Sequence, residues 1–288
     1  MSDRTIIDIH VLQTVPPSNL NRDDTGSPKS AMYGGVKRAR VSSQAWKRAT
    51  RIAFSRTVDS STLGVRTRRV VELLGEEILR QDPQSEPDAH ALAEATLTAA
   101  GIKIKPSRKK GEPNESGYLL FLSRRQVHNL AAAAVAAKGQ PDLPAALKSA
   151  GVKALADQEH SVDMALFGRM VADSTDLNVD AAAQVAHALS VHAVETEFDY
   201  FTAVDDHKSA DVEEDAGAGM IGTVEFNSST LYRYATVDVN RLQDNLGDAG
   251  AARRAVEAFI DAFVTSMPSG KQNTFANRTL PDAVLIQV

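Results

Sequence analysis

The sequence has no cysteine, few aromatic residues and no long apolar run. Without cysteine, disulfides, thiolate metal sites and cysteine nucleophiles are excluded within the chain, which suits a reducing compartment. Aromatic residues make up only 5% of the chain, which weighs against a long β-sandwich. No stretch approaches the roughly 18 apolar residues of a membrane helix, and MSDRTIIDIHVLQ lacks a secretory apolar core. The chain therefore reads as cytoplasmic, with no membrane partner. GxSxG, P-loop and Rossmann glycine motifs are also missing, so no enzyme motif stands out and no cofactor is expected.

What is present is a chain of 288 residues, 43% hydrophobic and 24% charged, long enough for a substantial core with an inserted lobe. Its net charge is -5, yet the charge is polarised. The stretch GGVKRARVSSQAWKRATR (34–51) holds six Lys/Arg and no Asp or Glu. Between Thr25 and Val58 lie eight basic residues and no acidic one, which leaves the rest of the chain at -13.

Alternation predicts a strand over 5–15, ended by Pro16-Pro17. Ser42 or Ser43 is placed to cap a helix. Its Ala45, Ala49, Ile52 and Ala53 form an apolar face, while Gln44, Lys47, Arg48, Arg51 and Ser55 form a cationic one. Residues 59–160 read as four helices: TRRVVELLGEEILR, DAHALAEATLTAA, YLLFLSRRQVHNLAAAAVAAK and LPAALKSAGVKALA. KIKPSRKK (103–110) is a second basic cluster, in a loop. VDMALFGRM (162–170) has strand-like composition, and NVDAAAQVAHALSVHA (178–193) reads as a helix capped by Asn178 or Asp180. VETEFDYFTAV and VEFNSSTLYRYATVDVN (224–240) read as strands, 249–266 as a helix and VLIQV as a last strand. The order implies an α+β fold: a split βαβ, ferredoxin-like sheet interrupted by a helical insertion and a hairpin.

Three constellations are candidates for function. In the basic zone, cations supply charge while hydroxyls, amides and helix N-terminal N–H groups supply short hydrogen bonds, which suits a phosphate backbone. Gly34-Gly35 permits positive φ or close approach. A solvated helix face is the usual explanation of a charge run, but such faces mix signs and this one does not. The second constellation is acidic: Glu195, Glu197, Asp199, Asp205, Asp206 and His207. It admits a metal-dependent nuclease or phosphohydrolase. A solvated edge strand leading into an acidic loop is the stronger reading, because no second His motif with ligand spacing accompanies it. The third is Met170, Tyr200, Phe201, Phe226, Tyr232 and Tyr234, which suit base stacking or core packing equally.

Several stretches together resemble the backbone subunit of Cascade, the type I-E CRISPR surveillance complex (the CasC family). They are IHVLQTVPPSNLNRDD, GGVKRARVSSQAWKRATR, ALFGRM, VDAAAQVAHALSVHAVETEFDYFTAVDD, IGTVEFNSSTLYRYATVDVNRLQDNLG and SGKQNTFANR. The resemblance implies a hand-like architecture. Its palm is a modified RNA-recognition-type sheet (1–58, 161–194 and 227–288), its fingers a helical insertion (59–160) and its thumb a hairpin (195–226). It implies that copies line up along one CRISPR RNA and present it to target DNA. Other copies and the Cascade large, small and RNA-end-capping subunits are the expected partners, and no enzymatic activity is expected. By match to the family's motifs, Arg22, Lys29, Lys37, Arg38, Arg40, Ser42, Gln44, Lys47, Arg48, Arg51 and Lys271 are implied to bind RNA. Met170, Tyr200 and Phe201 are implied to wedge against bases at kinks, and no residue is implied to hold a metal. Members of that family continue past the strand ending at Val288, so the resemblance also implies a C-terminally shortened chain.

Overall fold

A computed structural model describes residues 4–86, 88–171, 174–203 and 220–288. In chain order these form β1 (Ile6–Ser18), β2 (Ser30–Tyr33), β3 (Val36–Val41), α1 (Ser43–Thr57), β4 (Gly64–Thr67), α2 (Val70–Gln81) and α3 (Ala89–Ala99). There follow β5 (Ile104–Lys105), β6 (Glu115–Ser116), β7 (Leu120–Ser123), α4 (Arg124–Ala137), α5 (Leu143–Ser149), α6 (Val152–Leu155) and α7 (Val162–Phe167). The last are β8 (Ala183–Val185), β9 (Ala188–Ser190), β10 (Glu197–Ala203), β11 (Met220–Asp238), α8 (Val239–Leu246), α9 (Ala249–Thr265), α10 (Gln272–Phe275) and β12 (Ala283–Gln287). The chain divides into two compact units.

One unit, Met1–Ile6, Ser55–Gln184 and Val237–Ala258, is mainly helical. Helices α2, α3 and α4 close a core around Val71, Leu74, Ile78, Leu97, Leu130 and Ala134. The small alanines of α4 let its neighbours approach closely. Its start is fixed by a capping box: Ser123 Oγ accepts from the Gln126 N–H and Gln126 Oε1 accepts from the Ser123 N–H.

The other unit, Ile7–Phe54, Val185–Thr236 and Phe259–Val288, is built on a sheet of order β12–β1–β11–β9–β3–β2, with β10 paired to β11. Burial alternates along β1: Ile9, Val11, Gln13 and Val15 point inward while Leu12 and Thr14 are exposed. Trp46 on the inward side of α1 shares a core cluster with Val15, and Phe54 of α1 and Phe259 and Phe263 of α9 are fully buried. Each such ring contributes about 1.5–3 kcal/mol through burial.

The strands at 197–203, 220–238 and 283–287 and the helices at 70–81, 89–99 and 249–265 lie where hydrophobic period places them. Four expectations are corrected. The alanine-rich run 178–193 is not a helix but carries β8 and β9. Strand β9 lies between β11 and β3, and its Ala188 and Ser190 are buried. Ser190 Oγ accepts from the Ala39 N–H and donates to the His192 carbonyl, so pairing overrides helix propensity. Residues 162–167 instead form α7, whose Met164, Ala165 and Leu166 are buried. Asp163 accepts from the Gly64 N–H, and Gly168 at φ 78° ends the helix. Strand β1 runs through Pro16-Pro17 to Ser18. Its ladder to β12 stops at Leu12, so the prolines remove no donor from that edge. The buried face of α1 is Trp46, Ala49, Thr50 and Phe54, because the two large rings take the core, and Ile52 is exposed.

Three further details depart from the pattern. VKRARV is strand β3, YLLFLS opens as β7, and LPAALKSAGVKALA breaks at Gly151 (φ 69°) into α5 and α6.

Candidate nucleic-acid interface

The basic zone is organised by the backbone rather than by one helix face. Tyr33 and Val36 close a two-residue turn whose Gly34 and Gly35 have φ of 64° and 80°, the geometry of a type I′ hairpin. That hairpin sets Lys37, Arg38 and Arg40 along β3. The Arg40 N–H donates to the Lys29 carbonyl (2.9 Å), and the Lys29 N–H donates to the Asn21 carbonyl (2.9 Å). Asn21 Oδ1 in turn accepts from the Ser42 N–H at the entrance to α1 (2.9 Å). These three bonds hold the Arg22 loop, Lys29, Arg40 and the start of α1 in one piece.

The loop itself is pinned by Asp23. Its Oδ1 accepts from the Thr25 N–H, the Thr25 hydroxyl and the Ser27 N–H. The bond from the Thr25 hydroxyl comes first among the effects that hold the Asp23 carboxyl below the usual carboxylate range. Arg22 is exposed beside it.

The predicted cations differ in their commitments. Arg38 donates to the carbonyls of Tyr33 (2.9 Å) and Ser190 (2.8 Å), so much of its fork serves the sheet. Arg40 donates to the Ser30 carbonyl and lies 3.3 Å from His187 Nδ1. Ser42 is buried and its Oγ lies 3.4 Å from the Ala45 N–H, a cap at the long end of the range. On α1, Gln44 and Arg48 are exposed, and Lys47 and Arg51 are half-buried one turn apart. Burial pushes the Lys47 ammonium below its ordinary value.

Lys271 reaches the same unit from the far end of the chain. It sits at φ 57° at the start of α10. The preceding Gly270 packs so closely on the carbonyls of Asn19 and Leu20 that any Cβ would collide with backbone. The loop carrying Lys271 therefore lies directly against the loop leading to Arg22.

The wedge candidates separate. Met170 stands 84% exposed in the other unit. Arg169 beside it is buried and bonded through its backbone to Val179 on both sides, so Met170 projects from a fixed bend. In the hairpin β10–β11, Phe201 faces Gly222, and Tyr200 faces Thr223. Consecutive residues of a strand point to opposite faces, so Tyr200 and Phe201 cannot act from the same side. Phe198 (67% exposed) shares the face of Tyr200 (63%). Phe201 (38%) shares the face of Phe226, whose ring lies 5.1 Å from that of Phe275 in α10.

The CT1975-like protein family matches residues 7–288. This chain belongs to that family, the CasC-type backbone subunits of Cascade. Two solved structures are similar to it. A chain of a "CRISPR RNA-guided surveillance complex, pre-nicking" is 39% identical with a TM-score of 0.82, over 98% of this chain and 78% of that one. A chain of a "CRISPR RNA-guided surveillance complex" is 33% identical with a TM-score of 0.69, over 98% and 75%. No curated protein matches.

In this CasC-type chain, Glu195, Glu197 and Asp199 are exposed along the hairpin, while Asp205, Asp206 and His207 lie outside the described residues. Among the described residues no three His, Asp or Glu side chains are grouped to hold a metal ion. No described helix is long and apolar enough to cross a membrane. Sequence reasoning missed Phe198, whose signal was its two-residue spacing from Tyr200. It also missed Gly222 and Gly270, which carry no signal until their neighbours are known.

Proposed function

We propose that this chain is the RNA-binding backbone subunit of a type I-E Cascade, a non-enzymatic scaffold. Copies polymerise along the CRISPR RNA and hold its phosphates, leaving its bases to pair with target DNA in antiviral defence. The observation that carries this reading is the sign-pure basic zone, fixed by the Arg40–Lys29–Asn21–Ser42 bond series and extended by Lys271. The strand order β12–β1–β11–β9, with α1 and α9 as crossovers, supports a palm of RNA-recognition type. Residues 59–160 serve as fingers and the hairpin around 195–226 as thumb. Head-to-tail copies form an open filament that meets the large, small and RNA-end-capping subunits. The relatives come from RNA-guided complexes, which is consistent with an RNA partner here.

Charge reversal at two positions tests the site. Lys47→Glu with Arg51→Glu should abolish RNA-dependent assembly and lower the salt slope of residual binding by about 2, one per lost phosphate contact. Circular dichroism should show the same helix and strand content, so that lost assembly is not lost fold. Normal assembly by this variant would sink the assignment. A series of RNAs of increasing length separates a scaffold, which adds copies as the RNA lengthens, from a lone RNA-recognition module.

A further inference from the structure

Gly222 lies inside β11, where a glycine weakens a strand and contributes no side chain to pack. Its φ is not in the left-handed region, so the backbone does not require glycine. Its neighbour does. A Cβ built on Gly222 would overlap the tip of the Phe201 ring and come 2.7 Å from Phe201 Cε1. The tip of the Phe201 ring thus lies against Gly222 on the facing strand, in direct cross-strand register.

The two faces of the hairpin are unlike. Phe198 and Tyr200 stand largely exposed on one face. Phe201 occupies the other, shared with Phe226, which packs on Phe275 in the short helix that begins beside Lys271. Of the two hairpin aromatics matched to the base-wedging position, only Phe201 lies on the face turned to the cationic loops. A ring that separates stacked bases has to keep one orientation. A ring lying on a glycine is already ordered, so binding need not restrict it further.

We propose that Gly222 is a positioning residue: it is the seat that fixes Phe201 in the orientation that wedges a nucleobase of a single RNA strand. This rests on the reading of the chain as an RNA-holding backbone subunit with Phe201 as its hairpin wedge. The competing explanation is that the ring merely covers a strand glycine to stabilise the hairpin. The two differ in what a methyl group at position 222 does. Because the backbone tolerates alanine, Gly222→Ala leaves strand pairing intact and displaces only the ring.

Guide RNAs carrying 2-aminopurine at each position in turn report unstacked bases by their fluorescence. The whole chain assembled on them should give bright positions that Phe201→Ala removes. Gly222→Ala should dim the same positions by about half or more, while affinity stays within about twofold, since phosphate contacts carry the affinity. In the free chain with 4-fluorophenylalanine at 201, Gly222→Ala should shift the fluorine resonance while hairpin amides keep their exchange protection. Bright positions lost in Phe201→Ala but unchanged in Gly222→Ala would overturn the seat and leave Phe201 standing as the wedge. Brightness unchanged in both variants would overturn both. Loss of hairpin protection in Gly222→Ala would show that the glycine serves strand pairing, and would also overturn the seat. In Gly222→Ala with Phe201→Leu the shorter side chain clears the methyl group, so protection should be kept and brightness should stay low. Restored brightness there would count against a ring in a fixed orientation.

Discussion

Arg169 and Arg233 are both buried guanidinium groups, one in each unit, and they are held in opposite ways. Arg169 donates to the carbonyls of Leu177 (2.5 Å) and Ala156 (3.1 Å) and pairs with Asp157 at 2.8 Å. Arg233 has no carboxylate partner among the described residues. It lies between the rings of Trp46 (3.9 Å) and Phe263 (4.6 Å), and donates to Gln13 Oε1 and the Phe263 carbonyl. Burial alone pushes its pKa down to about 9. Each adjoins a candidate site residue or that residue's neighbour. Arg169 holds the bend that presents Met170, and Arg233 grips Trp46, the neighbour of Lys47 in α1. An ion pair suits a bend with many free carbonyls, whereas an aromatic sandwich suits a helix that must lie flat on a sheet.

The difference has measurable consequences. Arg169→Met strands the Leu177 and Ala156 carbonyls and unpairs Asp157, and should destabilise the chain by about 3 kcal/mol in urea unfolding. Arg233→Met strands no carboxylate but leaves Gln13 Oε1 and the Phe263 carbonyl without their donor, while it places an apolar side chain among rings. Its loss should be about 1–2 kcal/mol, smaller than that of Arg169→Met. Equal losses for the two variants would erase the distinction between clamp and sandwich.

The smallest effect is one of pH. Burial, followed by the charge of Arg169, holds the His160 imidazole below its ordinary value. The unfolded chain takes up that proton at about pH 6.5 and the folded one only below it. Stability from this group is therefore complete above that pH and declines as the solution is acidified through it. His160→Gln should flatten the decline in melting temperature between about pH 7 and pH 5. An unchanged slope would remove His160 from the Arg169 neighbourhood's response to acid.

Strands and helices with a clear period were legible in the sequence. In β1 the inward Ile9, Val11 and Val15 alternate with outward residues, and α2 repeats Val70, Val71, Leu74 and Ile78 at helical spacing. The alanine-rich stretches were not equally legible. AAAAVAA (131–137) and AAAQVAHALSVHA (181–193) have the same local preference, yet only the first follows a capping box and has helices to pack on. The second is claimed by unpaired strand edges far away in sequence, which no local pattern reports. At the site, charge sign pointed to Lys37 through Arg51. That Arg38 serves two carbonyls, and that Gly270 and Gly222 each hold a neighbour, depend on contacts between distant segments.

The sheet also sets a clock. Strand β1 lies between β12 and β11, so it must wait for partners made about 200 residues later. At about 5–20 residues per second of synthesis, β11 emerges roughly 10–40 s after β1. Throughout that interval the basic helix α1 is already made, while the sheet it will lie on has no centre. Exposed apolar strand and concentrated positive charge coexist on the nascent chain until β11 and β12 arrive. The vulnerable period is thus written into the order of the strands.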